Sequence, residues 1–164
     1  MLCGPGRLVS GVFTCDWGAL SMTVIQKSAL VKFSAQQMFD LVDDVEAYPR
    51  FLPWCGGSRI IKRDNNLFEA ELVIAKGGFK KAFSTRNKTD RGRSMTISLL
   101  NGPFSSLEGI WNFIPLREDA SKITLDLEFE MSGKLASLAF GAVFSQICNT
   151  MVSSFTTRAK EIYD

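Results

Sequence analysis

Lysine and arginine side chains crowd residues 76–93, where they could bind phosphate groups. This segment has seven basic residues and one acidic residue, Asp90, hence a net charge of +6 in a chain whose total is +2. Basic residues at alternate positions of a strand share one face, from which they can follow the phosphates of an RNA backbone. No aromatic residue lies between Arg86 and Arg93, so we expect phosphate recognition without base specificity. The candidate RNA contacts are Lys80, Arg86, Lys88, Arg91 and Arg93.

The same charges also have a structural interpretation. Charged side chains on an exposed strand keep a sheet from pairing with other sheets, and this is the commoner role of a basic strand. We therefore consider both interpretations of residues 76–93, a phosphate-binding surface and a solvated edge.

Enzymatic chemistry has little support in the residue types. The chain contains no histidine, which removes the usual general base, the Ser-His and Cys-His nucleophile systems and most catalytic zinc sites. Carboxylate or lysine chemistry would remain, but no nucleophile-elbow, phosphate-loop or paired-carboxylate motif occurs. The sequence therefore predicts a protein that is not an enzyme, with no metal and no required cofactor.

The four cysteines indicate a reducing compartment. Cys3, Cys15, Cys55 and Cys148 are far apart in the sequence, and none forms a C-x-x-C pair. Nothing in their spacing resembles a secreted disulfide framework. We expect reduced thiols in a cytoplasmic protein.

One long helix is predicted over residues 134–163. Large apolar residues recur there every three or four positions, which places them on one helical face. No charged residue occurs in positions 135–157, but polar residues such as Gln146, Asn149 and Thr150 occupy the opposite face. Lipid would leave those polar groups unsatisfied, so we expect a helix of a soluble domain and no membrane span.

The remaining elements are mostly strands. Ser34 and Gln37 have capping-box spacing and predict a helix over 35–43. A second short helical turn should end at Tyr48, because Pro49 disfavours helical geometry in the residue before it. Alternating apolar and polar residues between turn signals predict seven strands. These cover 23–31, 58–63, 67–75, 79–90, 94–100, 107–116 and 123–131.

These elements predict one α+β domain over residues 22–164. A seven-stranded antiparallel sheet should curve around the C-terminal helix, with two short helices after the first strand. Residues 1–21 show no steady period and lack the features of an export signal. We expect a disordered tail there, or an upstream extension from a start codon that precedes Met22.

A curved sheet that grips one helix tends to leave an elongated apolar space between them. The aromatic residues near that junction could line it or simply fill the core. The loop after Tyr48 carries two prolines and three rings, and is either pinned to the core or a lid over the space. Lys81 alternates with Phe79 and Phe83, so it is the candidate polar contact unless its side chain reaches solvent. The candidate ligand contacts are Tyr48, Phe51, Leu52, Trp54, Lys81, Phe104, Trp111, Phe140, Phe144, Ile147 and Met151.

Several short motifs, spread in order along the chain, carry a family resemblance. They are Tyr48-Pro49 with Phe51-Leu52-Pro53 and Cys55, Ser58-Arg59-Ile60, Thr85-Arg86-Asn87, Gly102-Pro103-Phe104, Trp111 with Phe113 and Pro115-Leu116, and Phe155 with Arg158-Ala159-Lys160-Glu161. Over residues 22–163 the chain resembles START-like proteins of the coenzyme Q-binding type. The resemblance implies a helix-grip fold, START-like or Bet v-like.

The resemblance also implies two functions of different classes. Bacterial relatives include a toxin that binds the large ribosomal subunit and blocks its association with the small one, and that could have an antitoxin partner. Mitochondrial relatives bind ubiquinone, an isoprenoid quinone, and support respiration. The expected function is therefore non-catalytic: binding of the large ribosomal subunit or, as the alternative, binding of ubiquinone or another apolar lipid. We expect no DNA partner.

Overall fold

The computed structural model describes residues 12–17, 20–133 and 135–164. The strands of these residues are β1 (Val12–Trp17), β2 (Leu20–Val31), β3 (Cys55–Arg63), β4 (Leu67–Lys76), β5 (Phe79–Asp90), β6 (Ser94–Asn101), β7 (Phe104–Arg117) and β8 (Ala120–Met131). The helices are α1 (Ala35–Asp43), a 3₁₀ helix (Val45–Arg50) and α2 (Leu135–Tyr163). The predicted order of elements is confirmed from β2 onwards, and Lys134, the predicted first residue of α2, lies outside the described residues.

The strands of the described residues form a single antiparallel sheet. Their order is β1-β2-β8-β7-β6-β5-β4-β3, so β3 to β8 are a meander and β2 pairs with its last strand. The seven predicted strands correspond to β2 through β8. Their alternation is also confirmed, because Phe68, Ala70 and Ile74 of β4 are buried while Leu67 and Ala75 are exposed.

Helix α2 packs its apolar face against the concave side of this sheet. The ring of Phe144 lies 4.7 Å from that of Phe129 on β8, 4.9 Å from Phe104 on β7 and 6.0 Å from Phe83 on β5, measured between centroids. Farther along α2, Phe155 is fully buried. Rings from three strands therefore pack against one helix. The prediction that the curved sheet wraps around the C-terminal helix is confirmed.

Helix α1 begins with the predicted capping box. The Gln37 backbone N–H donates to Ser34 Oγ at 3.1 Å, and the Ser34 N–H donates to Gln37 Oε1 at 2.9 Å. Met38 and Phe39 are buried on the inner side of the helix. The ring of Phe39 packs edge-on against Phe113 of β7 at 5.6 Å, so α1 covers one end of the sheet.

The next helical turn differs from its prediction. It is a 3₁₀ helix that continues through Pro49 to Arg50 instead of ending at Tyr48. Proline can be accommodated here because its fixed φ suits a tight helical turn and its missing N–H removes only one bond from a short element. The chain leaves the turn with the N–H groups of Phe51 and Leu52 both donating to the carbonyl of Tyr48.

The N-terminal segment also differs from its prediction. Residues 12–17 are not a disordered tail: they form β1, which pairs with β2 from Val12 opposite Ile25 to Trp17 opposite Leu20. The first predicted strand accordingly begins at Leu20 instead of residue 23. Without β1 the backbone groups on that side of β2 would form an unpaired sheet edge, and pairing satisfies them. Leu20 and Ser21 of the predicted tail belong to β2, and residues 1–11, 18 and 19 lie outside the described residues.

Candidate functional site

An apolar cavity lies between α2 and the concave face of the sheet. Its volume is about 90 Å³. It is lined by Val45, Tyr48, Trp54, Phe68, Ala70, Leu72, Phe83, Thr85, Asn87, Met95, Ile97, Leu107, Trp111, Leu125, Leu127, Phe144, Ile147, Cys148 and Met151. By comparison, a cavity of roughly 150 Å³ binds one benzene molecule. At its smaller volume this cavity cannot enclose a substituted quinone ring or an isoprenoid chain unless its walls move.

Six of the predicted ligand contacts lie on the cavity wall. They are Tyr48, Trp54, Trp111, Phe144, Ile147 and Met151. They come from the 3₁₀ helix and the loop after it, from β7 and from α2, which the fold brings together around one space. The helical residues among them follow a spacing of three or four, which keeps them on the same face of α2.

The other predicted ligand contacts lie elsewhere. Phe104 and Phe140 are buried beyond the cavity, where their rings pack against each other at 6.2 Å. Leu52 is fully buried beneath the loop, and Phe51 packs on Phe155 of α2 outside the cavity. Lys81 is exposed to solvent and does not line the wall. Of its two interpretations, the one that places its side chain in solvent therefore agrees with the structure.

The cavity contains a polar pair that sequence reasoning missed. Thr85 and Asn87 are buried on the inner face of β5, where the Asn87 amide Nδ2 donates to Thr85 Oγ1 at 3.0 Å. The pattern contained a signal for them, because they continue the alternation of Phe83 and must therefore point inward. Polar residues at inward positions of an apolar strand require hydrogen-bond partners. Here Thr85 and Asn87 are partners of each other.

Other polar groups on the wall are held neutral. Burial raises the pKa of Tyr48 and of Cys148 far above their ordinary values. The Tyr48 hydroxyl donates to the carbonyl of Val42. The indole Nε1 of Trp54 is buried and has no acceptor in the described part of the chain. The wall therefore carries hydrogen-bonding groups but no charge and no activated nucleophile.

The loop between the 3₁₀ helix and β3 both packs on the core and closes the cavity. Phe51 lies edge-on to Phe155 of α2 at 5.4 Å, and the guanidinium of Arg158 lies 5.1 Å above the Phe51 ring. On the inner side of the loop, Trp54 is buried and contributes to the cavity wall. The two interpretations of this loop are therefore compatible, since it is anchored by one set of rings and covers the space with another.

Three basic residues of β5 lie on the outer face of the sheet. Lys80, Arg86 and Lys88 are exposed and share that face, as their spacing predicts. They do not form one continuous surface, because Lys80 and Lys88 lie eight residues apart, about 27 Å along a strand. Arg86 is also partly neutralised by Glu69 on β4, with 3.0 Å between the guanidinium and the carboxylate.

The structure therefore divides the basic segment into two groups. One group, which we call the basic cluster, consists of Arg86, Lys88, Arg91 and Arg93 near the β5–β6 turn. Lys88 and Arg91 also line a surface groove beside Arg63 and the β3–β4 turn. The other group, which we call the hairpin tip, comprises residues 76–81 at the β4–β5 turn and includes Lys80.

Two further features bear on function. No group of three or more histidine, cysteine or carboxylate residues in the described chain could hold a metal ion. Helix α2 is long and apolar enough over Leu138–Tyr163 to cross a membrane by length and composition. Phe140, Phe144, Ile147, Val152 and Phe155 of this helix are buried in the core, whereas Leu138 and Ile162 are exposed.

The fold and its enclosed apolar cavity define a class of protein. The profile of the family described as polyketide cyclase / dehydrase and lipid transport matches residues 31–156. This match covers more than half of the chain, and the protein belongs to this START-like family.

Particular relatives fall into different functional groups. The ribosome association toxin RatA of Pseudomonas aeruginosa is 48% identical over 141 residues, which are 86% of this chain and 98% of that protein. The mitochondrial coenzyme Q-binding protein COQ10 homolog B of Xenopus laevis is 27% identical, covering 84% of this chain and 58% of that protein. The ZhuI aromatase/cyclase from Streptomyces sp. R1128 has the same fold, with a TM-score of 0.75 at 15% identity over 85% of this chain and 94% of that one. Because the fold also occurs in a cyclase, function has to be inferred from the surfaces of this chain.

Proposed function

We propose that this protein is a non-catalytic cytoplasmic START-like domain that binds the large ribosomal subunit and blocks its association with the small subunit. The basic cluster is the observation that carries the proposal. Lys88, Arg91 and Arg93 are exposed and have no acidic partner within the described residues. Unpaired cations on an outer surface can bind RNA phosphates. This contact is favourable because it releases the counterions that were held near those phosphates.

The relatives support the same function. The protein of Pseudomonas aeruginosa that is 48% identical to this chain is named a ribosome association toxin. That similarity extends over 98% of the relative. The neutral cavity adds support for a role without catalysis, because its wall offers no ionised acid, base or nucleophile.

A binding experiment with purified large subunits tests this proposal. We expect binding to weaken steeply as salt increases, because phosphate contacts release counterions. Replacing Arg86 and Lys88 together by Gln should weaken binding and lower the salt slope by roughly one unit for each phosphate that is no longer neutralised. The matched control replaces Lys76 and Lys80 at the hairpin tip, which removes the same charge from the opposite end of β5 and should leave subunit binding unchanged.

Ribosome profiles provide the functional measurement. Overproduction of the parent protein should shift whole ribosomes towards free subunits in sucrose gradients, and the Arg86/Lys88 variant should do so less. If the Arg86/Lys88 variant binds large subunits as tightly as the parent across the salt range, the basic cluster is a solvated edge and the proposal is wrong.

A second candidate function is binding of an apolar ligand of quinone type in the cavity. The observation that favours it is the cavity itself, an enclosed apolar space with the Thr85–Asn87 pair on its wall. Small-molecule sites combine such apolar walls with a few polar groups that orient the ligand. A relative named for coenzyme Q binding has the same domain at 27% identity. Ubiquinone is then a bound ligand rather than a required cofactor.

A further inference from the structure

The hairpin tip is a purely basic projection. Lys76, Lys80 and Lys81 are all exposed, and no acidic residue occurs between Glu71 and Asp90. The turn itself needs glycine, because Gly77 and Gly78 have φ angles of 63° and 81°. A Cβ atom placed on Gly78 would have no atom of the surrounding described residues within 4 Å. The tip therefore extends into solvent with three lysines that have no acidic neighbour in the sequence.

The tip lies beside the beginning of α2, where that helix is apolar on its outer side as well. Leu138 is 73% exposed, and Ala139 and Ala142 are exposed next to it. Between residues 143 and 157 the exposed residues of the helix are polar, namely Gln146, Thr150, Ser153 and Thr157, and Ile162 is exposed near the other end. The apolar exposed surface in this part of α2 is thus confined to the end that adjoins the tip.

Two contacts join the tip and the helix. A side-chain carbon placed on Gly77 would lie 3.3 Å from Val143 Cγ2, so the backbone of the turn packs closely on α2. The ring of Phe79 packs against that of Phe140 at 5.6 Å. The three lysines and the exposed apolar residues are therefore held at the same end of the molecule.

We propose that this end of the protein, the hairpin tip together with the first turns of α2, docks on the surface of an anionic lipid bilayer. Lysines beside an exposed apolar patch suit such a surface, because the ammonium groups meet lipid phosphates while the apolar side chains enter the boundary of the acyl chains. An RNA backbone would also attract the lysines, but it would leave Leu138 against phosphate and water. The chemistry at this end therefore favours lipid, in contrast to the basic cluster, which lies at the other end of β5.

Docking of this kind does not require α2 to leave the sheet. Phe140 and Phe144 stay buried against β5, β7 and β8, and only the outer side of the first turns meets lipid. The helix consequently lies on the membrane and does not span it. The proposal depends on neither the ribosome-binding function nor the occupancy of the cavity.

Vesicle sedimentation tests the proposal. The full chain is mixed with vesicles of phosphatidylcholine alone or of phosphatidylcholine with phosphatidylglycerol, and the bound fraction is measured at low and high salt. We expect binding to the anionic vesicles alone, weakened by salt. Each lysine near an anionic surface contributes about a fivefold gain in partitioning, so the triple variant Lys76/Lys80/Lys81→Gln should bind roughly 100-fold more weakly.

Two further variants distinguish docking on a membrane from attraction by charge alone. Leu138→Asn should weaken vesicle binding about tenfold at unchanged charge, because it removes apolar area from the lipid boundary. The control Arg86/Lys88→Gln removes two charges from the basic cluster and should bind vesicles nearly as well as the parent. Thermal melting of each variant shows that it is folded, and all of these substitutions are at exposed positions.

The proposal is wrong if anionic vesicles do not bind the parent, or if the triple variant binds them as the parent does. It is also wrong if neutral vesicles bind equally well, since the lysines would then contribute nothing. Loss of large-subunit binding in the triple variant at unchanged vesicle binding would identify the tip as an RNA surface instead.

Discussion

At the scale of single residues, the Thr85–Asn87 pair has the clearest energetic consequence. The two side chains satisfy each other inside an otherwise apolar wall. Removing one partner leaves the other buried without a hydrogen bond. Replacing both with apolar groups of similar shape leaves no buried polar group that needs one.

We expect Asn87→Leu to destabilise the protein by about 1–3 kcal/mol and the double variant Thr85→Val/Asn87→Leu to be nearly neutral. Urea denaturation of the two variants and the parent measures the difference. If the double variant is as unstable as the single one, the Thr85 and Asn87 side chains also stabilise another neighbouring group. In the same double variant, stabilisation by quinones should decrease, because the cavity loses its polar contact.

The buried ionisable side chains predict how stability depends on pH. The ordinary pKa values are 9.0 for the Cys148 thiol and 10.0 for the Tyr48 phenol, and burial raises both in the folded protein. Both groups ionise more readily when unfolded, so their contribution to stability is fully present below about pH 9 and decreases as pH rises above it. Urea denaturation from pH 7 to pH 10.5 should show this decline, and Cys148→Ala should lessen it. A free energy of unfolding that does not change over this range would contradict the burial of these groups.

At the scale of elements, β1 is the part whose contribution is most open to experiment. It covers one edge of the sheet through backbone pairing with β2, which remains paired with β8 on its other side. Its removal should therefore leave a sheet edge exposed.

We expect deletion of residues 1–19 to lower the melting temperature by no more than a few degrees and to increase self-association at high concentration. Calorimetry and size-exclusion chromatography measure the two effects. A larger loss of thermal stability would place the N-terminal segment in the core. The full-length protein at the same concentration is the control for self-association.

At the scale of the whole molecule, the cavity couples ligand binding to folding. A ligand that binds only the folded state stabilises it by RT ln(1 + [L]/Kd), about 2.7 kcal/mol at a hundredfold excess over Kd. A quinone that enters the cavity should therefore raise the melting temperature of the protein.

Matched substitutions test whether that effect comes from the cavity. Ala70 lies on the cavity wall, and Ala70→Leu should fill the space and abolish the quinone response. Ala82 is exposed on β5, and Ala82→Leu adds the same volume outside the cavity, so its response should match that of the parent. Equal responses of both variants would place the ligand elsewhere.

From β2 onwards, the sequence by itself determined the order of the elements and the residues on each face. Alternation along β4 and the three-to-four spacing of Phe140, Phe144 and Ile147 are local properties, because each depends only on how a strand or a helix turns its neighbouring residues. For the same reason the capping box at Ser34 could be predicted residue by residue. The inward positions of Thr85 and Asn87 were present in that pattern too, although nothing local marked them as part of a cavity.

Only the tertiary structure decided what depends on residues far apart in the chain. The pairing of Arg86 with Glu69 requires the register of two strands, and the volume of the cavity depends on how side chains from several elements fill one space. The basic segment looks continuous in sequence because strand residues follow one another, yet an extended strand places Lys80 and Lys88 about 27 Å apart. Packing of the β4–β5 turn on α2 then gives the hairpin tip apolar neighbours at its own end of the strand. The single charged segment of the sequence thereby becomes two surfaces with different chemistry.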